Sequence, residues 1–503
     1  MITTLLRPYF VHRARKTNSY PILDTQRDQL AWLLHKGTAT KIGTKYDFWS
    51  LNSYAKFAKA VPVSQYQDIR PYVMRMIEGE KDVLWKGRTT HFAQSSGTSD
   101  GKSKYIPVTN DSFHRNHYKG ASDVVAHYLN LYPQSRIFDG KAFILGGSFA
   151  NELTLPKGVV VGDLSANLID NINPLANAVR VPSKQVALME DWNKKLPALV
   201  DAAVKENITN ISGVPSWFLT VLREVIKKAG ATTIHDVWRN LEVFFHGGIS
   251  FDPYRDQYRA ITDPAKMHYL ESYNASEGFF AVQNAVDDRG MLMLLDNGIF
   301  FEFIPLDQID DPFPEALPAW KVKEGDIYAL VITACNGLWR YMIGDTVRIE
   351  SASPLKITIA GRTRHYINAF GEELMVYNAE EALSKTCREL GCSILNFTAA
   401  PVFTTDHSRG RHEWLIEFDR QPADIERFAR LLDSNLQQEN SDYQAKRAGN
   451  IFLDPLSVVI ARQGLFNDWL KSTGKLGGQR KVPRLANDRH IIIPLLQLNS
   501  KTV

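Results

Sequence analysis

A ten-residue stretch near residue 100 combines the side chains and glycines that a phosphate-binding loop requires. Its residues run Ser95-Ser96-Gly97-Thr98-Ser99-Asp100-Gly101-Lys102-Ser103-Lys104. Hydroxyl groups and the backbone N–H groups that glycine exposes donate hydrogen bonds to phosphate oxygens. A lysine neutralises the charge that grows when pyrophosphate leaves. The stretch therefore predicts a loop that holds a triphosphate.

The same composition is also found in two other kinds of loop. A flexible Ser/Gly linker is equally rich in small polar residues, but the dense order of hydroxyls, glycines and lysines favours phosphate binding. Gly101-Lys102-Ser103 is similar to the end of a Walker A motif, whose glycines stand farther apart. Gly97 and Gly101 have only three residues between them, and residues 90–94 are a poor match for the buried strand that precedes a Walker A. The spacing excludes that motif.

Two later segments carry groups that suit a nucleotide. They are Tyr273-Asn274-Ala275-Ser276-Glu277-Gly278 and Trp339-Arg340-Tyr341-Met342-Ile343-Gly344-Asp345. A carboxylate can accept two hydrogen bonds from a diol, a second carboxylate can hold a hard cation, and an aromatic ring offers an apolar face to a base. Taken singly, Glu277 could be a solvated carboxylate or a helix cap, Asp345 a turn residue and Tyr273 part of the core. Three such motifs in this order favour a site.

Together the three motifs resemble those of the adenylate-forming enzymes, the superfamily of acyl-CoA synthetases, peptide-synthetase adenylation domains and luciferases. The resemblance implies that Tyr273 lies on adenine, Ser276 meets a phosphate, Glu277 helps to bind magnesium and Asp345 takes both ribose hydroxyls. It also implies that Lys104 and the loop hydroxyls hold the β- and γ-phosphates. The implied ligands are therefore ATP and Mg²⁺. The loop residues predicted to contact the nucleotide are Ser95, Ser96, Gly97, Thr98 and Ser99.

Within this superfamily, nearly the whole chain resembles the auxin-responsive Gretchen Hagen (GH3) family of acyl-acid amido synthetases. The shared features are the Ser-Ser-Gly-Thr-Ser form of the loop, Ser212-Gly213-Val214-Pro215-Ser216-Trp217, Ile367-Asn368-Ala369-Phe370-Gly371-Glu372-Glu373 and Gln479-Arg480-Lys481-Val482-Pro483-Arg484. The last of these implies that Lys481 reaches the α-phosphate. Gly247 and Gly248 fall where the superfamily has its adenine-contacting glycine loop, although a glycine turn after a strand is common. Arg362 is a further predicted nucleotide contact.

The family resemblance predicts two half-reactions. The carboxylate of a small acid attacks the α-phosphorus of ATP, which gives an acyl-adenylate and pyrophosphate, and the amine of an amino acid then takes the acyl group to form an amide. An acyl-CoA synthetase would share the first step and differ in its thiol acceptor, and a silent relative would only bind nucleotide. The intact Lys104, Glu277, Asp345 and Lys481 argue against a silent relative. No His-Glu-x-x-His motif supports a metal hydrolase.

The bulk properties limit the partners of the chain. Its 503 residues are 44% hydrophobic and 23% charged, and 59 Lys+Arg against 55 Asp+Glu leave a net charge of +4. This balance does not indicate nucleic acid or a membrane as a partner. The three cysteines, Cys335, Cys387 and Cys392, are too few for a disulfide framework and are expected to be reduced. With no apolar run that suggests a signal peptide or a membrane span, the chain is expected to be cytoplasmic. A monomer is the expected oligomeric state.

The elements that must position these residues can be predicted from local patterns. Residues 208–211 form a strand, Pro215 opens a helix that ends at Gly230, and residues 241–245 form a second strand that leads to His246-Gly247-Gly248. Residues 291–295 and 299–304 flank Asp296-Asn297-Gly298, which is typical of a hairpin. Further predicted elements are strands at 327–333, 356–360 and 412–418 and helices at 373–390 and 425–436.

These elements predict an α/β fold. We expect a large N-terminal adenylate-forming domain of mixed sheets covered by helices at residues 1–361, and a smaller, mobile C-terminal α+β domain at residues 362–503. Superfamily relatives rotate the smaller domain between half-reactions, and Gly361-Arg362-Thr363 lies where that hinge is expected. An apolar acyl pocket is also expected, with Phe149, Trp217 and Phe218 as candidate wall residues, although ordinary core positions explain them as well.

Overall fold

A computed structural model describes most of the chain. The described residues are 2–95, 104–149, 151, 153–248, 251–286, 288–309, 311, 314–362, 366–367, 369, 372, 374–403, 410–440, 443–444, 447, 453–473, 482–486 and 488–500. The chain divides into two compact units, one of residues 1–249 and 261–358 and the other of residues 250–260 and 359–503. The functional domains 1–361 and 362–503 remain a prediction.

Helices cover both units. The α-helices of the described residues, numbered in chain order, are α1 (Ile2–Asn18), α2 (Ile22–Gly37), α3 (Lys41–Lys45), α4 (Tyr54–Ala60), α5 (Tyr66–Ile77), α6 (Tyr118–Leu131), α7 (Leu164–Asp170), α8 (Pro174–Ala178), α9 (Lys184–Ala187), α10 (Trp192–Ala203), α11 (Pro215–Ala229), α12 (Ile234–Val237), α13 (Arg255–Ile261), α14 (Val376–Leu390), α15 (Ile425–Glu439), α16 (Leu465–Ser472) and α17 (Ile492–Ser500). A π-helical segment, Ser112–His117, leads directly into α6. Short 3-10 segments are Phe48–Ser50, Ile137–Asp139, Asp252–Tyr254, Leu306–Gln308 and Ala319–Lys321.

The strands are numbered in the same way. They are β1 (His91–Ser95), β2 (Lys104–Val108), β3 (Lys141–Ile144), β4 (Val160–Gly162), β5 (Arg180–Val181), β6 (Ile208–Gly213), β7 (Val243–Gly247), β8 (His268–Ala275), β9 (Gly278–Gln283), β10 (Met291–Met293), β11 (Ile299–Pro305), β12 (Leu317–Pro318), β13 (Ile327–Ala334), β14 (Leu338–Ala352), β15 (Leu355–Arg362), β16 (Tyr366–Ile367), β17 (Leu374–Met375), β18 (Ser393–Val402), β19 (Arg411–Arg420) and β20 (Ser457–Ala461).

The larger unit is built on a mixed sheet. Its strand order is β12-β11-β13-β14-β15-β10-β9-β8-β7-β6-β3-β5, and β2-β1-β4 forms a smaller sheet. β5, β3, β6, β7 and β8 are parallel, whereas β8-β9-β10 and β11-β13-β14 pair antiparallel. The carboxyl ends of the parallel strands share one edge, which is where open α/β sheets bind ligands. The expected mixed sheet covered by helices is confirmed.

The unit from β6 to β7 forms as the local pattern predicts. Pro215 occupies the first turn of α11, and Gly230 ends the helix with a left-handed φ of 64°. The apolar stripe of α11, which includes Phe218, Leu222 and Val225, is fully buried. Burial of one apolar face, rather than helix propensity, supplies most of the stability of such a helix.

The smaller unit has its own sheet and core. Its strands run in the order β18-β19-β20, with β18 and β19 antiparallel and β19 and β20 parallel. Trp414 and Phe397 stack in its core with ring centroids 5.7 Å apart. An ion pair of Arg447 with Asp433 is buried in it at 2.8 Å, and Nε2 of His412 lies 2.8 Å from Oε1 of Glu372. The predicted α+β character of this part is confirmed.

Three local expectations were wrong. β10 and β11 do not pair, since β10 lies between β15 and β9 and β11 lies between β12 and β13. The side chain of Gln26 donates hydrogen bonds to the carbonyls of Leu295 (2.7 Å) and Ile299 (3.0 Å) at the ends of the connection. The helix predicted at 373–390 begins at Val376, since Leu374 and Met375 pair with β16. Residues 91–95 are a strand, with Phe92 fully buried. The Walker A motif is therefore excluded by glycine spacing alone.

Candidate active site

The glycines after β7 are required by the sheet itself. Gly247 pairs with Ser272 of β8, and a Cβ on Gly247 would lie 2.3 Å from the Ser272 carbonyl oxygen. Gly248 has a φ of 80°, in the left-handed region that favours glycine. Local geometry therefore favours glycine at both positions. They lie at the carboxyl end of β7, the edge at which open α/β sheets generally bind ligands.

Ser276 and Glu277 form the turn between β8 and β9. Ala275 pairs with Gly278, so only these two residues connect the strands. Their exposed fractions are 5% and 6%. The side chain of Asn336 donates a hydrogen bond of 3.0 Å to the backbone carbonyl of Glu277. A buried carboxylate is thus held at a tight turn, where its charge is little screened by water.

Two buried asparagines that sequence reasoning missed fix the base of this turn. Asn116 accepts a hydrogen bond from the backbone N–H of Phe279 at 2.7 Å, and Asn297 donates to the Phe279 carbonyl at 2.9 Å. Asn116 also donates to the carbonyl of Asn297 at 2.8 Å. Asn297-Gly298 was recognisable only as a turn signal. These side-chain partners lie far apart in the chain, and no local pattern indicates them.

Tyr273 and Asp345 are brought together although they come from separate motifs. The Tyr273 hydroxyl donates a hydrogen bond of 2.7 Å to Oδ2 of Asp345. The two residues are 4% and 7% exposed. The ring of Tyr273 also packs against Phe280, with centroids 4.8 Å apart. The second and third predicted motifs therefore meet in the described structure.

Lys104 begins β2 and follows the predicted phosphate loop. Ser95 pairs with Lys104, so β1 and β2 hold the two ends of residues 96–103 together. The Lys104 ammonium lies 5.9 Å from the ring centroid of Tyr66. Ser96, Gly97, Thr98 and Ser99 lie outside the described residues, and the side chain of Ser95 is also outside them.

Tyr66, the first residue of α5, lies beside Lys104. Its hydroxyl accepts a hydrogen bond of 2.7 Å from the backbone N–H of Tyr105. Burial raises the pKa of Tyr66, the hydrogen bond from Tyr105 opposes the rise, and the charge of Glu277 adds to it. No sequence signal marked Tyr66.

The last predicted motif can be followed only after its lysine. Lys481 lies outside the described residues, and so does the side chain of Arg362 at the end of β15. The segment 482–486 pairs with β18, because Ala399 donates to the Arg484 carbonyl at 2.8 Å and Ala486 donates to the Ala399 carbonyl at 3.1 Å. The residues that follow Lys481 are thus held on the sheet of the smaller unit.

One of the candidate acyl-pocket residues is core. Phe218 is fully buried, and its ring lies 5.3 Å from that of Phe143 and 5.4 Å from that of Phe244. Phe149 and Trp217 are partly exposed. Phe218 therefore packs α11 on the sheet, and the other two remain candidates.

A buried lysine beyond the predicted set lies at the same edge of the sheet. Lys195 of α10 is 3% exposed, and it donates to the carbonyls of Gly146 (2.6 Å) and Gly147 (3.1 Å), which follow β3. Burial lowers the pKa of Lys195 to about 8, and the charge of Asp163 opposes this shift. The lysine fastens the loop after β3 to α10.

The described ranges contain no group of three or more His, Cys, Asp or Glu side chains arranged to hold a metal ion. In the same ranges, no helix has both the length and the apolar content to cross a bilayer. Cys335, Cys387 and Cys392 are free thiols, as expected.

The architecture is that of adenylate-forming enzymes. A solved structure of AtGH3.15 acyl acid amido synthetase in complex with 2,4-DB superposes with a TM-score of 0.80 at 16% identity, covering 98% of this chain and 96% of that one. A 2-hydroxyisobutyryl-CoA ligase in the postadenylation state, in complex with 2-HIB-AMP, superposes with a TM-score of 0.60 at 13% identity, covering 95% and 92%. At these identities the likeness shows a shared fold.

Sequence comparison then gives the family. The model of the GH3 family N-terminal domain matches residues 15–196 and 172–267, that of the central domain matches 292–362, and that of the C-terminal domain matches 377–490. The chain belongs to the GH3 family, as its motifs indicated. Jasmonoyl–L-amino acid synthetase GH3.5 of Oryza sativa subsp. japonica is 23% identical, covering 95% of this chain and 94% of that protein. Indole-3-acetic acid-amido synthetase GH3.3 of Arabidopsis thaliana is 21% identical, covering 94% and 90%.

Proposed function

We propose that this protein activates a small carboxylic acid with ATP and transfers the acyl group to the amine of an amino acid. The observation that carries the proposal is the hydrogen bond between Tyr273 and Asp345. It joins two motifs whose resemblance to those of adenylate-forming enzymes implies contact with one nucleoside, Tyr273 with adenine and Asp345 with the ribose. The names of the full-length relatives, which are amido synthetases of indole-3-acetic acid and jasmonate, support the same reaction class.

In the first half-reaction the chain mainly positions groups and neutralises charge. Asp345 receives the ribose hydroxyls and is itself oriented by Tyr273, whose ring face is offered to adenine. Ser276, Lys104 and the loop that begins at Ser95 hold phosphate oxygens. Lys481 carries the charge of the α-phosphate as it spreads in the transition state. A reaction of this type needs no covalent intermediate on the protein, because alignment and electrostatics supply the acceleration.

The residues present fit a magnesium ion bound together with the triphosphate. Mg²⁺ commonly takes one or two protein carboxylates, with phosphates and water completing its oxygen shell. Glu277 offers one buried carboxylate on a turn that Asn336 fixes. The ion, when bound, would supply positive charge for the phosphates. A dedicated cluster of protein ligands is not required for this role.

In the second half-reaction an amine attacks the acyl carbon and AMP leaves. We propose that the smaller unit changes its orientation between the two steps, with Gly361-Arg362-Thr363 as the hinge and Arg362 contacting nucleotide. The acceptor is proposed to be an amino acid. Coenzyme A is the second candidate, because a CoA ligase shares the fold. We also propose that the protein acts in the cytoplasm.

The proposal is tested by measuring pyrophosphate release from ATP over a broad panel of carboxylic acids, with amino acids and with coenzyme A as acceptors. We expect release that depends on the acid and an amide product with an amino acid. Asp345→Ala and Lys104→Ala should abolish the release, while Lys194→Ala, an exposed surface change, should not. A thioester product would favour the CoA ligase. Folded protein that releases no pyrophosphate with any acid would refute the proposal.

A further inference from the structure

The motif that contains Asp345 also supplies one member of a buried ion pair. The Arg340 guanidinium binds the carboxylate of Glu302 on β11, with Nη2 to Oε1 at 2.8 Å and Nε to Oε1 at 3.0 Å. The two side chains are 5% and 0% exposed. Planar, forked contacts of this kind fix direction as well as charge.

The remaining donors of Arg340 bind the end of α4. Nη1 donates to the carbonyls of Ala58 at 2.8 Å and Val61 at 2.7 Å. The hydroxyl of Tyr54, on the same helix, donates to Glu302 at 3.0 Å. A buried ion pair adds little net stability compared with apolar residues of similar size, because desolvation offsets the attraction. What this pair does supply is a fixed position for the backbone of β14.

The backbone at Arg340 is a bulge in β14. Ile332 pairs with Tyr341 and Ala334 with Leu338, so Thr333 faces both Trp339 and Arg340. Arg340 has a φ of 43°, which is rare for a side chain other than glycine. Its backbone N–H, which has no strand partner, donates to the Thr333 hydroxyl at 3.0 Å. Strained backbone of this type persists only where its surroundings hold it.

A second bulge follows almost at once and contains Asp345. Ala329 pairs with Thr346 and Val331 with Met342, so Leu330 faces three residues, Ile343, Gly344 and Asp345. Only Tyr341 and Met342 lie between the two bulges. A shift of one residue in a strand turns each side chain to the other face of the sheet. Because only two residues separate the bulges, the register at Arg340 continues up to the segment that contains Asp345.

We infer that the Arg340–Glu302 pair is a positioning device for Asp345: it fixes the first bulge of β14, and through it the second, so that the Asp345 carboxylate is held ready for the ribose. Arg340 and Glu302 are positioning residues, since neither is argued to contact substrate. The inference rests on the ribose-binding role given to Asp345 under the proposed function. It adds that nucleotide recognition depends on the charges of Arg340 and Glu302, which act through the backbone of β14.

The test compares binding of ATP and 2′-deoxy-ATP by titration calorimetry, because a merely structural pair would not change their ratio. We expect the wild type to bind 2′-deoxy-ATP about tenfold more weakly, the value of one hydrogen bond to a charged group. In the double variant Arg340→Met/Glu302→Leu, which removes both charges, the ratio should fall below about threefold. Arg340→Lys, which keeps the positive charge but loses the forked contact with Glu302, is measured in the same titrations.

A matched control is the partly buried pair of Arg13 and Asp123, far from this motif in the sequence. Arg13→Met/Asp123→Leu should lower thermal stability without changing the ratio. The inference is overturned if a folded Arg340 variant keeps the wild-type ratio, or if neither variant folds, since the pair would then serve stability alone. The double variant could lose the preference for ATP over 2′-deoxy-ATP while the wild type releases no pyrophosphate with any acid. That result would uphold the inference and refute the proposed function.

Discussion

At the scale of single residues, the candidate site depends on a few polar contacts that water hardly reaches. Tyr273 and Asp345 share one hydrogen bond, and Glu277 sits on a two-residue turn whose carbonyl is held by Asn336. Each of these groups is less than a tenth exposed. Charge and hydrogen bonds have larger effects in such surroundings than at a surface, so single substitutions should be informative.

Tyr273→Phe keeps the ring and removes the hydroxyl that orients Asp345. We expect ATP affinity to fall about three- to tenfold, in line with the loss of one hydrogen bond, while acid-dependent turnover at saturating ATP changes little. Steady-state kinetics over ATP concentration measures both. Unchanged ATP affinity in a variant with lowered thermal stability would mean that Tyr273 is only a packing residue.

Gly247→Ala would place a Cβ 2.3 Å from the backbone oxygen of Ser272. Because β7 and β8 would have to separate, we expect a loss of about 1–3 kcal/mol in unfolding free energy and a large fall in activity. Chemical denaturation and pyrophosphate release report the two effects.

Gly158→Ala is the control for this substitution. Its φ of 80° costs about 1–2 kcal/mol of backbone strain with alanine, but nothing lies within 4 Å of the added Cβ. The control should therefore lose a similar amount of stability and keep its activity. Wild-type activity in Gly247→Ala would contradict the role of Gly247 in spacing the two strands at the site.

At the scale of elements, local patterns were sufficient where an element buries its own apolar face. The strand β6, the helix α11 with Pro215 at its start and Gly230 at its end, and the strand β7 all formed as expected. The order of the motifs was sufficient to predict that Tyr273 and Asp345 lie close together. Local patterns could not show contacts between distant segments. Examples are the hydrogen bond from Gln26 to Leu295 and those of Asn116 and Asn297 with Phe279. The two bulges of β14 were not predictable either.

The buried Lys195 on α10 should make the stability of the protein depend on pH. Burial lowers its pKa from 10.5 to about 8, so the folded protein releases this proton at lower pH than the unfolded chain. Between these two values the unfolded chain binds more protons, and stability should rise with pH by up to about 1.4 kcal/mol per pH unit. Denaturation of the wild type and of Lys195→Met over this range should show the rise only in the wild type.

Lys194→Met is the matched control for this prediction. Lys194 is the neighbouring residue on the same helix, and its side chain is 81% exposed. Its removal should leave the pH dependence of the wild type intact. An identical pH profile for wild type and Lys195→Met would show that Lys195 titrates as an ordinary lysine.

At the scale of the whole molecule, a large unit holds the candidate nucleotide site and a smaller unit contains Lys481. Membership of the GH3 family was recognisable from the sequence because its motifs are short, ordered and spread over the chain. The acid and the acceptor were not recognisable. They are chosen by the shape of a pocket, whose lining no short motif marks.

The most direct test of the central claim is exchange of labelled pyrophosphate into ATP in the presence of a carboxylic acid and the absence of any acceptor. The exchange requires that an acyl-adenylate forms and reverts on the protein. We predict exchange that depends on the acid, is lost in Asp345→Ala and falls at least about a hundredfold in Lys481→Ala, the scale expected for loss of a transition-state charge contact. Acid-independent exchange, or none with any acid from folded protein, would contradict the claim that this chain is an adenylate-forming enzyme.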